Sequence, residues 1–196
     1  MLPGRRLRVP PLSENEWTAE QRELLALGNP SRILNVTATL ARHVDLYRSW
    51  VPLVAHILTT STLTPREREI VILRIGWLCQ SEYEFAQHTV VGKHAGLSET
   101  EIERIELGPG ACGWSKAEQL LLLATDELHH DAVISDETWA RLGAHFDTNQ
   151  VLDLIFTTGH YAMLSMALNS LGVQLEEERG ASRPVYAAGQ ALAQPG

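Results

Sequence analysis

The chain has 196 residues, of which 44% are hydrophobic and 20% are charged, and its formal net charge is -8. This composition is ordinary for a globular protein and excludes a chain that is disordered throughout. The acidic balance argues against a nucleic-acid partner, because phosphate binding needs a basic surface. No run approaches the roughly 18 consecutive apolar residues of a membrane helix, so we expect no membrane partner.

Residues 1–12 contain three prolines and no helical periodicity, and they are predicted to form an N-terminal arm. The basic residues of this arm are not followed by an apolar core, which argues against a secretory signal. The two cysteines, Cys79 and Cys112, have neither a Cys-x-x-Cys nor a zinc-ligand spacing. We therefore expect two reduced thiols in a cytoplasmic protein.

Start and stop signals along the rest of the chain predict a succession of helices and no strands, so the predicted fold class is all-α. Thr64-Pro65 is the clearest start, with Thr as N-cap and Pro at the first helical position. Ser13, Ser98 and Ser115 each precede a Glu by three residues, which is the capping-box pattern. The predicted helices cover residues 14–27, 33–41, 46–58, 66–78, 81–95, 98–107, 115–130, 137–146 and 148–171.

We predict a single domain over residues 13–178 that consists of two weakly related helical halves. The segments LTPREREIVIL (63–73) and FDTNQVLDLIF (146–156) share an N-cap, a polar first turn and an apolar body. When the two segments are aligned, Trp77 of the first half corresponds approximately to Tyr161 of the second half. After Glu178 the composition turns to Gly, Ala, Pro and Gln, so residues 179–196 are predicted to form a loose C-terminal tail.

One stretch of the sequence carries groups suited to acid/base chemistry. Glu84 and His88 are four residues apart, so on a helix they share a face and can form a hydrogen bond. Glu69 lies upstream on an otherwise apolar helix, where an unpaired carboxylate would be costly. A carboxylate that orients an imidazole is a common general acid/base device. The alternative is a solvent-exposed Glu–His pair that only weakly stabilises the helix.

The blocks LTPREREIVILR, CQSEYEFAQH and GLSETEIERI, followed by FDTNQVLDLIFTTGHYAMLSMALNSLGV, resemble the carboxymuconolactone decarboxylase-like family, which includes alkylhydroperoxidase D-like proteins. The resemblance spans residues 30–175. It implies an all-α helical bundle built around a helical hairpin. It also implies a homo-oligomer (dimer, trimer or hexamer) whose sites lie near subunit contacts, and Trp50, Trp77 and Trp139 are candidate interface residues.

The resemblance is divided between two branches of this family. In the alkylhydroperoxidase branch a Glu is followed by Cys-x-x-Cys-x-x-x-His, and Glu69 and His88 match the first and last of these positions. The two cysteine positions fall on Ser81 and Glu84, and a His expected between them is Tyr83, so thiol peroxidase chemistry of that kind is lost. The decarboxylase branch carries Glu-x-x-x-His where Glu84 and His88 stand.

The resemblance implies general acid/base catalysis, without a metal or another cofactor, on a small carboxylated or lactone-type organic acid. The reaction would be a decarboxylation or a related lyase or isomerase reaction. His88, held by Glu84 or Glu69, would supply a proton, and Tyr83 would bind the developing enolate oxygen. The candidate substrate-binding residues are Arg68, Arg74, Trp77, His160 and Tyr161. The alternatives are an alkylhydroperoxidase-type antioxidant protein without the usual Cys-x-x-Cys and a non-catalytic oligomeric binding relative.

Overall fold

The computed structural model describes residues 5–26 and 33–176. All regular structure in these residues is helical, which confirms the all-α fold class. The predicted tail, residues 179–196, lies outside the described residues, as do the predicted helix break at 28–30 and the first four residues of the arm. The α-helices are α1 (Ala19–Ala26), α2 (Asn35–Leu40), α3 (Val44–Ala55), α4 (Pro65–Leu78), α5 (Glu82–His94), α6 (Glu99–Leu107), α7 (Lys116–Asp131), α8 (Asp136–Leu142) and α9 (Thr148–Leu171).

The described residues form two compact units. The first unit covers residues 61–167 and holds α4 to α8 and most of α9. The second unit covers residues 5–60 and 168–176, apart from the undescribed residues 27–32, and holds α1 to α3. The single domain over residues 13–178 stays a prediction.

Helix α4 is the central element of the first unit and packs against α5, α6 and α7. Its apolar residues point in all directions, as the sequence indicated, and Ile70, Leu73 and Ile75 are fully buried. The predicted start is confirmed: the Thr64 hydroxyl accepts from the Glu67 N–H, and Pro65 occupies the first turn. Because this helix is buried on every side, any polar side chain on it is shielded from water.

Glycine allows α4 and α5 to approach closely. A Cβ atom added at Gly76 would lie 3.5 Å from the Cβ atom of Glu84, and one at Gly92 would lie 3.0 Å from Leu97 Cδ1 and 3.8 Å from Glu69 Cβ. The two helices therefore approach each other closely at Gly76 and at Gly92, on either side of the segment that carries Glu84 and His88. This approach brings Glu69 of α4 within reach of α5.

Two helices differ most from their predicted extents. The single helix predicted over residues 14–27 is wrong: a 3₁₀ turn at Glu14–Glu16 is followed by extended Trp17 (φ -70°, ψ 129°), and α1 starts at Ala19. The break occurs because Thr18 starts a new helix, in which the Thr18 and Gln21 side chains bond each other's backbone N–H groups. Helix α8 ends at Leu142 instead of residue 146, because the chain continues in tight turns after Gly143.

In the second unit, the N-terminal arm lies against the end of α9. The backbone N–H groups of Arg8 and Val9 both donate to the Leu171 carbonyl oxygen, at 2.9 and 3.1 Å. Gly172 ends the helix with φ +68°, and a Cβ atom there would lie 2.1 Å from the Arg6 carbonyl oxygen. Only glycine fits this position, because it permits both the left-handed backbone and the contact with the arm.

Helix α9 departs from the expectation about membrane segments. By length and composition alone it could cross a membrane, and 50% of its most apolar stretch is buried. Counting consecutive apolar residues missed it, because polar residues such as Asp153 and His160 interrupt the run. Both of these polar side chains are buried. Core helices of water-soluble proteins have the same properties, so length and composition do not assign α9 to a membrane.

Candidate active site

Three titratable side chains predicted from the sequence to act together meet between α4 and α5. Glu69 is 0% exposed, Glu84 4% and His88 3%. His88 Nδ1 donates to Glu69 Oε2 over 2.7 Å, whereas His88 Nε2 lies 3.6 Å from Glu84 Oε2. The imidazole ring therefore stands between two buried carboxyl groups and is hydrogen-bonded to one of them. The solvent-exposed pair considered as an alternative does not describe this arrangement.

The geometry assigns different roles to the two carboxyl groups. A carboxylate only accepts hydrogen bonds, so the bond to Glu69 places a proton on His88 Nδ1. Nε2 then faces Glu84 with a lone pair when the ring is neutral, or with a proton when it is charged. The gap of 3.6 Å exceeds a hydrogen bond. Glu69 thus orients the ring, and the Nε2 edge with Glu84 is the side available for proton exchange.

Arg68 is a cation in contact with this cluster. Its Nε donates to Glu69 Oε1 over 3.2 Å, and its side chain is 11% exposed. Glu69 is therefore bound on one oxygen by Arg68 and on the other by His88. The predicted role of Arg68 in substrate docking stays a prediction, and its guanidinium already holds the orienting carboxylate.

Burial and charge shift the pKa values of both titrating groups. Burial raises the pKa of Glu84 to about 7, an effect that the charge of His88 opposes and that of Glu69 reinforces. Burial lowers the pKa of His88, but the charge and hydrogen bond of Glu69 and the charge of Glu84 outweigh it, so this pKa is raised overall. Shifted pKa values in a buried pair of acid and base groups are typical of sites that transfer protons.

Helix α9 contributes two aromatic rings to this cluster. The Tyr161 ring meets the His88 ring edge to face, with ring centroids 4.9 Å apart, and the His160 ring lies 5.1 Å from Tyr161 in the same manner. Both residues are buried. Burial and, to a lesser extent, the charge of His88 lower the pKa of His160 to about 4, so His160 is neutral at pH 7. The structure thus places both α9 candidates next to His88.

Arg74 lies elsewhere. Its guanidinium binds both carboxylate oxygens of Asp126, at 2.6 and 2.8 Å, and donates to the carbonyl oxygens of Ile105 and Glu106. These contacts tie α4 to α6 and α7. The predicted docking role of Arg74 is untested, and its side chain is engaged in structural bonds.

The two remaining aromatic candidates lie near the start of α5. Tyr83 is buried in the first helical turn, directly before Glu84. Trp77 is partly buried and packs on Phe85 with ring centroids 5.7 Å apart. Their predicted contacts with a substrate remain predictions.

The partly buried thiol of Cys79 has polar neighbours on two helices. Its Sγ atom lies 3.8 Å from His129 Nδ1, and the Ser165 hydroxyl is beside it. Burial raises the pKa of this thiol, so the thiolate is disfavoured. Among the described residues no three His, Cys, Asp or Glu side chains are grouped to hold a metal ion.

Sequence reasoning overlooked Ser81 as a functional candidate and treated it only as a position that has lost a cysteine. Ser81 is the N-cap of α5 and is 0% exposed, yet its hydroxyl makes no capping hydrogen bond. The spacing of Ser81 and Glu84 matches the capping-box pattern, and only the structure shows that the box is not formed.

The cluster coincides with a known sequence family. Residues 45–127, which include Glu69, Glu84 and His88, match the sequence model of the carboxymuconolactone decarboxylase family. The match covers less than half of the chain and is a similarity of that segment to the family. The resemblance recognised from the sequence blocks is thereby confirmed. Among curated proteins, no sequence matches this chain.

The fold of this chain is similar to that of solved alkylhydroperoxidase D-like proteins. An uncharacterized peroxidase-related protein from Silicibacter sp. TM1040 is 13% identical, with a TM-score of 0.76 over 89% of this chain and 93% of its own. The alkylhydroperoxidase AhpD core protein from Ralstonia eutropha JMP134 is 15% identical, with a TM-score of 0.75 over 87% and 92%. The debrominase Bmp8 in complex with 2,3,4-tribromopyrrole is 12% identical, with a TM-score of 0.70 over 88% and 94%. At these identities the likeness concerns the fold alone.

Proposed function

We propose that the chain is an enzyme that moves protons on a small carboxylated or lactone-type organic acid, in a decarboxylation or a related lyase or isomerase reaction. The observation that supports this proposal is the buried series Glu69–His88–Glu84, with one hydrogen bond of 2.7 Å and one gap of 3.6 Å. Buried ionisable groups are costly unless they pair, and such groups with pKa values near neutrality are typical of acid/base sites. Glu69 positions His88, while His88 and Glu84 exchange protons with the substrate.

In a decarboxylation, the bond between the carboxylate carbon and its neighbour breaks and carbon dioxide leaves. The electron pair of that bond moves into a conjugated carbonyl group and forms an enolate. The His88–Glu84 pair then gives a proton to the carbon that lost the carboxylate, and the enolate returns to a carbonyl. Solvent replaces the proton on the pair. An isomerisation uses the same groups, with a proton taken from one carbon and returned to another.

The peroxidase alternative rests on the names of structural neighbours and on Cys79. Attack on a peroxide requires a thiolate, and burial raises the pKa of the Cys79 thiol. Glu84 occupies the position at which the alkylhydroperoxidase branch has its attacking cysteine, and a carboxylate cannot form a sulfenic acid. We therefore favour acid/base chemistry over thiol chemistry.

The non-catalytic alternative meets a different objection. A scaffold gains nothing from two carboxyl groups and an imidazole in its core, because apolar side chains of similar volume stabilise such a position as well or better. The site also spans α4, α5 and α9, so several elements maintain it.

We further propose that the enzyme is cytoplasmic and forms a homo-oligomer, and that neither nucleic acid nor membrane is a partner. Exposed apolar side chains support the assembly, because such side chains are enriched where chains associate. Trp139, Phe156 and Met166 are 53%, 58% and 65% exposed. Light scattering at micromolar concentration tests this proposal, and a monomer mass would contradict it.

The proposed reaction is tested by incubating the protein in deuterium oxide with a panel of unsaturated lactone acids and β-keto acids. Proton nuclear magnetic resonance follows deuterium entry at carbons next to the carbonyl group, and released carbon dioxide is measured in parallel. We expect turnover of at least one compound and a decrease of about 10²–10⁴ in His88→Gln, as for the loss of a positioned acid or base.

His94→Gln is the matched control. His94 ends the same helix, is exposed, and has its Nδ1 atom 2.8 Å from the Val90 carbonyl oxygen. We expect this variant to keep the wild-type rate. A folded His88→Gln variant with an unchanged rate would exclude His88 as the acid/base group.

A further inference from the structure

The start of α5 has a polar group that the fold itself leaves unused. Ser81 occupies the N-cap position, is 0% exposed, and its Oγ atom has no hydrogen-bond partner among the described residues. A buried hydroxyl without a partner has lost its hydrogen bonds to water and regained none. Such a group in a well-packed unit indicates that something absent from the isolated chain completes it.

The backbone next to Ser81 offers further donors. The first N–H groups of a helix have no carbonyl partner within that helix. In a 13-residue helix such as α5 they form the positive end of the helix dipole. At the start of α4, α6 and α7, the N-cap side chain accepts a hydrogen bond from one of the first N–H groups of its own helix. At α5 the Ser81 hydroxyl makes no such bond.

This helix start is directly adjacent to the proton-exchanging groups. Glu84 is the third residue of α5, and its carboxyl group lies 3.6 Å from His88 Nε2 instead of turning back to the N-cap. The Ser81 N–H, which a capping box would bind through Glu84, donates to the Gly76 carbonyl oxygen over 2.9 Å. The unused hydroxyl and the exchangeable carboxyl group therefore belong to one helical turn.

We propose that the Ser81 hydroxyl, at the positive end of the α5 dipole, binds the carbonyl oxygen of the substrate and stabilises it as an enolate beside Glu84. This inference rests on the proposed acid/base function and specifies its substrate class. The reacting carbon must be conjugated to a carbonyl group, as in an unsaturated lactone, a ketone or a β-keto acid. The neutral form of Glu84, with a pKa of about 7, is compatible with a neighbouring negative oxygen.

The electron balance of the step locates the charge at this helix start. When a base removes a proton from the carbon next to the carbonyl, the C–H electron pair forms a carbon–carbon double bond. The carbonyl π pair moves onto the oxygen, which becomes negative. Donors already directed at that oxygen stabilise the charge without reorganisation, as in oxyanion holes. The reverse movement of electrons returns the proton to carbon.

The test uses 4-nitrophenol as the probe, because its phenolate, like an enolate, carries negative charge on an oxygen bound to a planar carbon. Its visible absorbance reports ionisation directly. We expect the wild-type protein to bind the phenolate and to lower the pKa of the bound phenol. Ser81→Ala should weaken phenolate binding about tenfold or more, because hydrogen bonds to charged groups are the strong ones. Ser81→Cys, with a weaker donor, should fall between the two.

Two controls separate binding from folding. Ser98→Ala removes an N-cap hydroxyl that does cap its helix, and it should leave phenolate affinity unchanged. Nitrobenzene has no ionisable oxygen, so its affinity should be the same in the wild type and in Ser81→Ala. Circular dichroism establishes that each variant is folded. Phenolate affinity that is unchanged in folded Ser81→Ala, or wild-type protein that does not ionise the probe, would overturn the proposal.

The outcomes also distinguish this inference from the proposed function. If the deuterium assay finds no turnover but phenolate binding depends on Ser81, the oxygen site stands and the acid/base function is wrong. If turnover depends on His88 but neither turnover nor phenolate binding depends on Ser81, the function stands and the oxygen site is wrong.

Discussion

Four helices of the first unit begin with the same local pattern, a Ser or Thr followed three residues later by Glu, but only three of them form a capping box. At α4, α6 and α7 the Glu carboxylate accepts from the N-cap N–H at 2.8, 2.8 and 2.9 Å. At α5 the corresponding Glu84 is turned to His88. The same four-residue pattern thus produces a helix cap in three places and a candidate catalytic group in the fourth.

The Glu carboxyl groups at these helix starts differ in the direction of their pKa shifts. The pKa of Glu101, at the start of α6, is lowered to about 2, first by its hydrogen bond to Arg66 and also by those to Ser98. Burial raises the pKa of Glu84 to about 7. Tertiary environment, not local sequence, decides whether such a carboxyl group stabilises a helix or exchanges protons. A helix start that forgoes its cap is therefore a useful indicator of a functional site.

The largest expected difference between a capped helix start and the uncapped start of α5 is in the effect of a Glu→Gln substitution on the turnover rate. Glu84→Gln keeps the size of the side chain and removes its titration, so it should lower turnover in the deuterium assay by about 10². Glu67→Gln, at the same position of α4, should leave turnover unchanged, because Glu67 only caps its helix. Equal rates in wild type and Glu84→Gln would show that Glu84 does not take part in proton transfer.

The second largest effect is expected in the pH dependence of the free energy of unfolding. The folded state keeps Glu84 protonated up to about pH 7, whereas the unfolded chain releases this proton near the ordinary Glu pKa of 4.5. Between these two values the folded state binds more protons, so its stability falls as the pH rises. The loss amounts to on the order of 3 kcal/mol over this window.

Urea unfolding of wild type and Glu84→Gln at pH 4.5 and pH 7 measures this effect. The variant has no proton to lose, so its stability relative to the wild type should increase at the higher pH. His88 contributes in the same direction in both proteins, since its raised pKa gives stability that is lost as the pH rises through that value. A constant difference between the two proteins would contradict the shifted pKa of Glu84.

A smaller contrast is expected between the N-cap serines. Ser98→Ala removes a formed capping bond and should cost about 1 kcal/mol of unfolding free energy. Ser81→Ala removes a buried hydroxyl that caps nothing, so its cost should be near zero. Thermal unfolding of the two variants measures the contrast. A cost of about 1 kcal/mol at Ser81 as well would mean that its hydroxyl caps α5 in solution.

The smallest effect is expected at the cysteines. Replacing both Cys79 and Cys112 with Ser should change turnover less than about twofold, because burial raises the pKa of the Cys79 thiol and Cys112 is exposed. Loss of all turnover in a folded double variant would support the alkylhydroperoxidase alternative instead.

The sequence predicted most of the helices because their signals are local. The starts at Thr64, Ser98 and Ser115, and the whole extent of α9, follow from caps and composition. The continuous helix through Trp17 failed because Thr18 offers a second start that competes with the first. Two adjacent start signals cannot be ranked without knowing which backbone the surrounding structure favours.

The site was predictable in its members but not in its connections. Spacing brought Glu84 and His88 together, and the cost of an unpaired carboxylate on an apolar helix singled out Glu69. That Glu69 makes the hydrogen bond and Glu84 remains at 3.6 Å depends on the approach of α4 to α5. The Asp126 partner of Arg74, 52 residues away, and the position of Tyr161 on His88 are contacts between distant segments that no local pattern encodes.

The bonds from Arg8 and Val9 to Leu171 have a consequence for the order of synthesis. The arm leaves the ribosome early, but the carbonyl it binds and the glycine that accommodates it are made more than 160 residues later. The second unit therefore cannot close while the chain is growing toward Gly172. Until Gly172 has been synthesised, the arm and helices α1 to α3 lack part of their native contacts. We expect this incompletely folded region to be accessible to chaperones during synthesis.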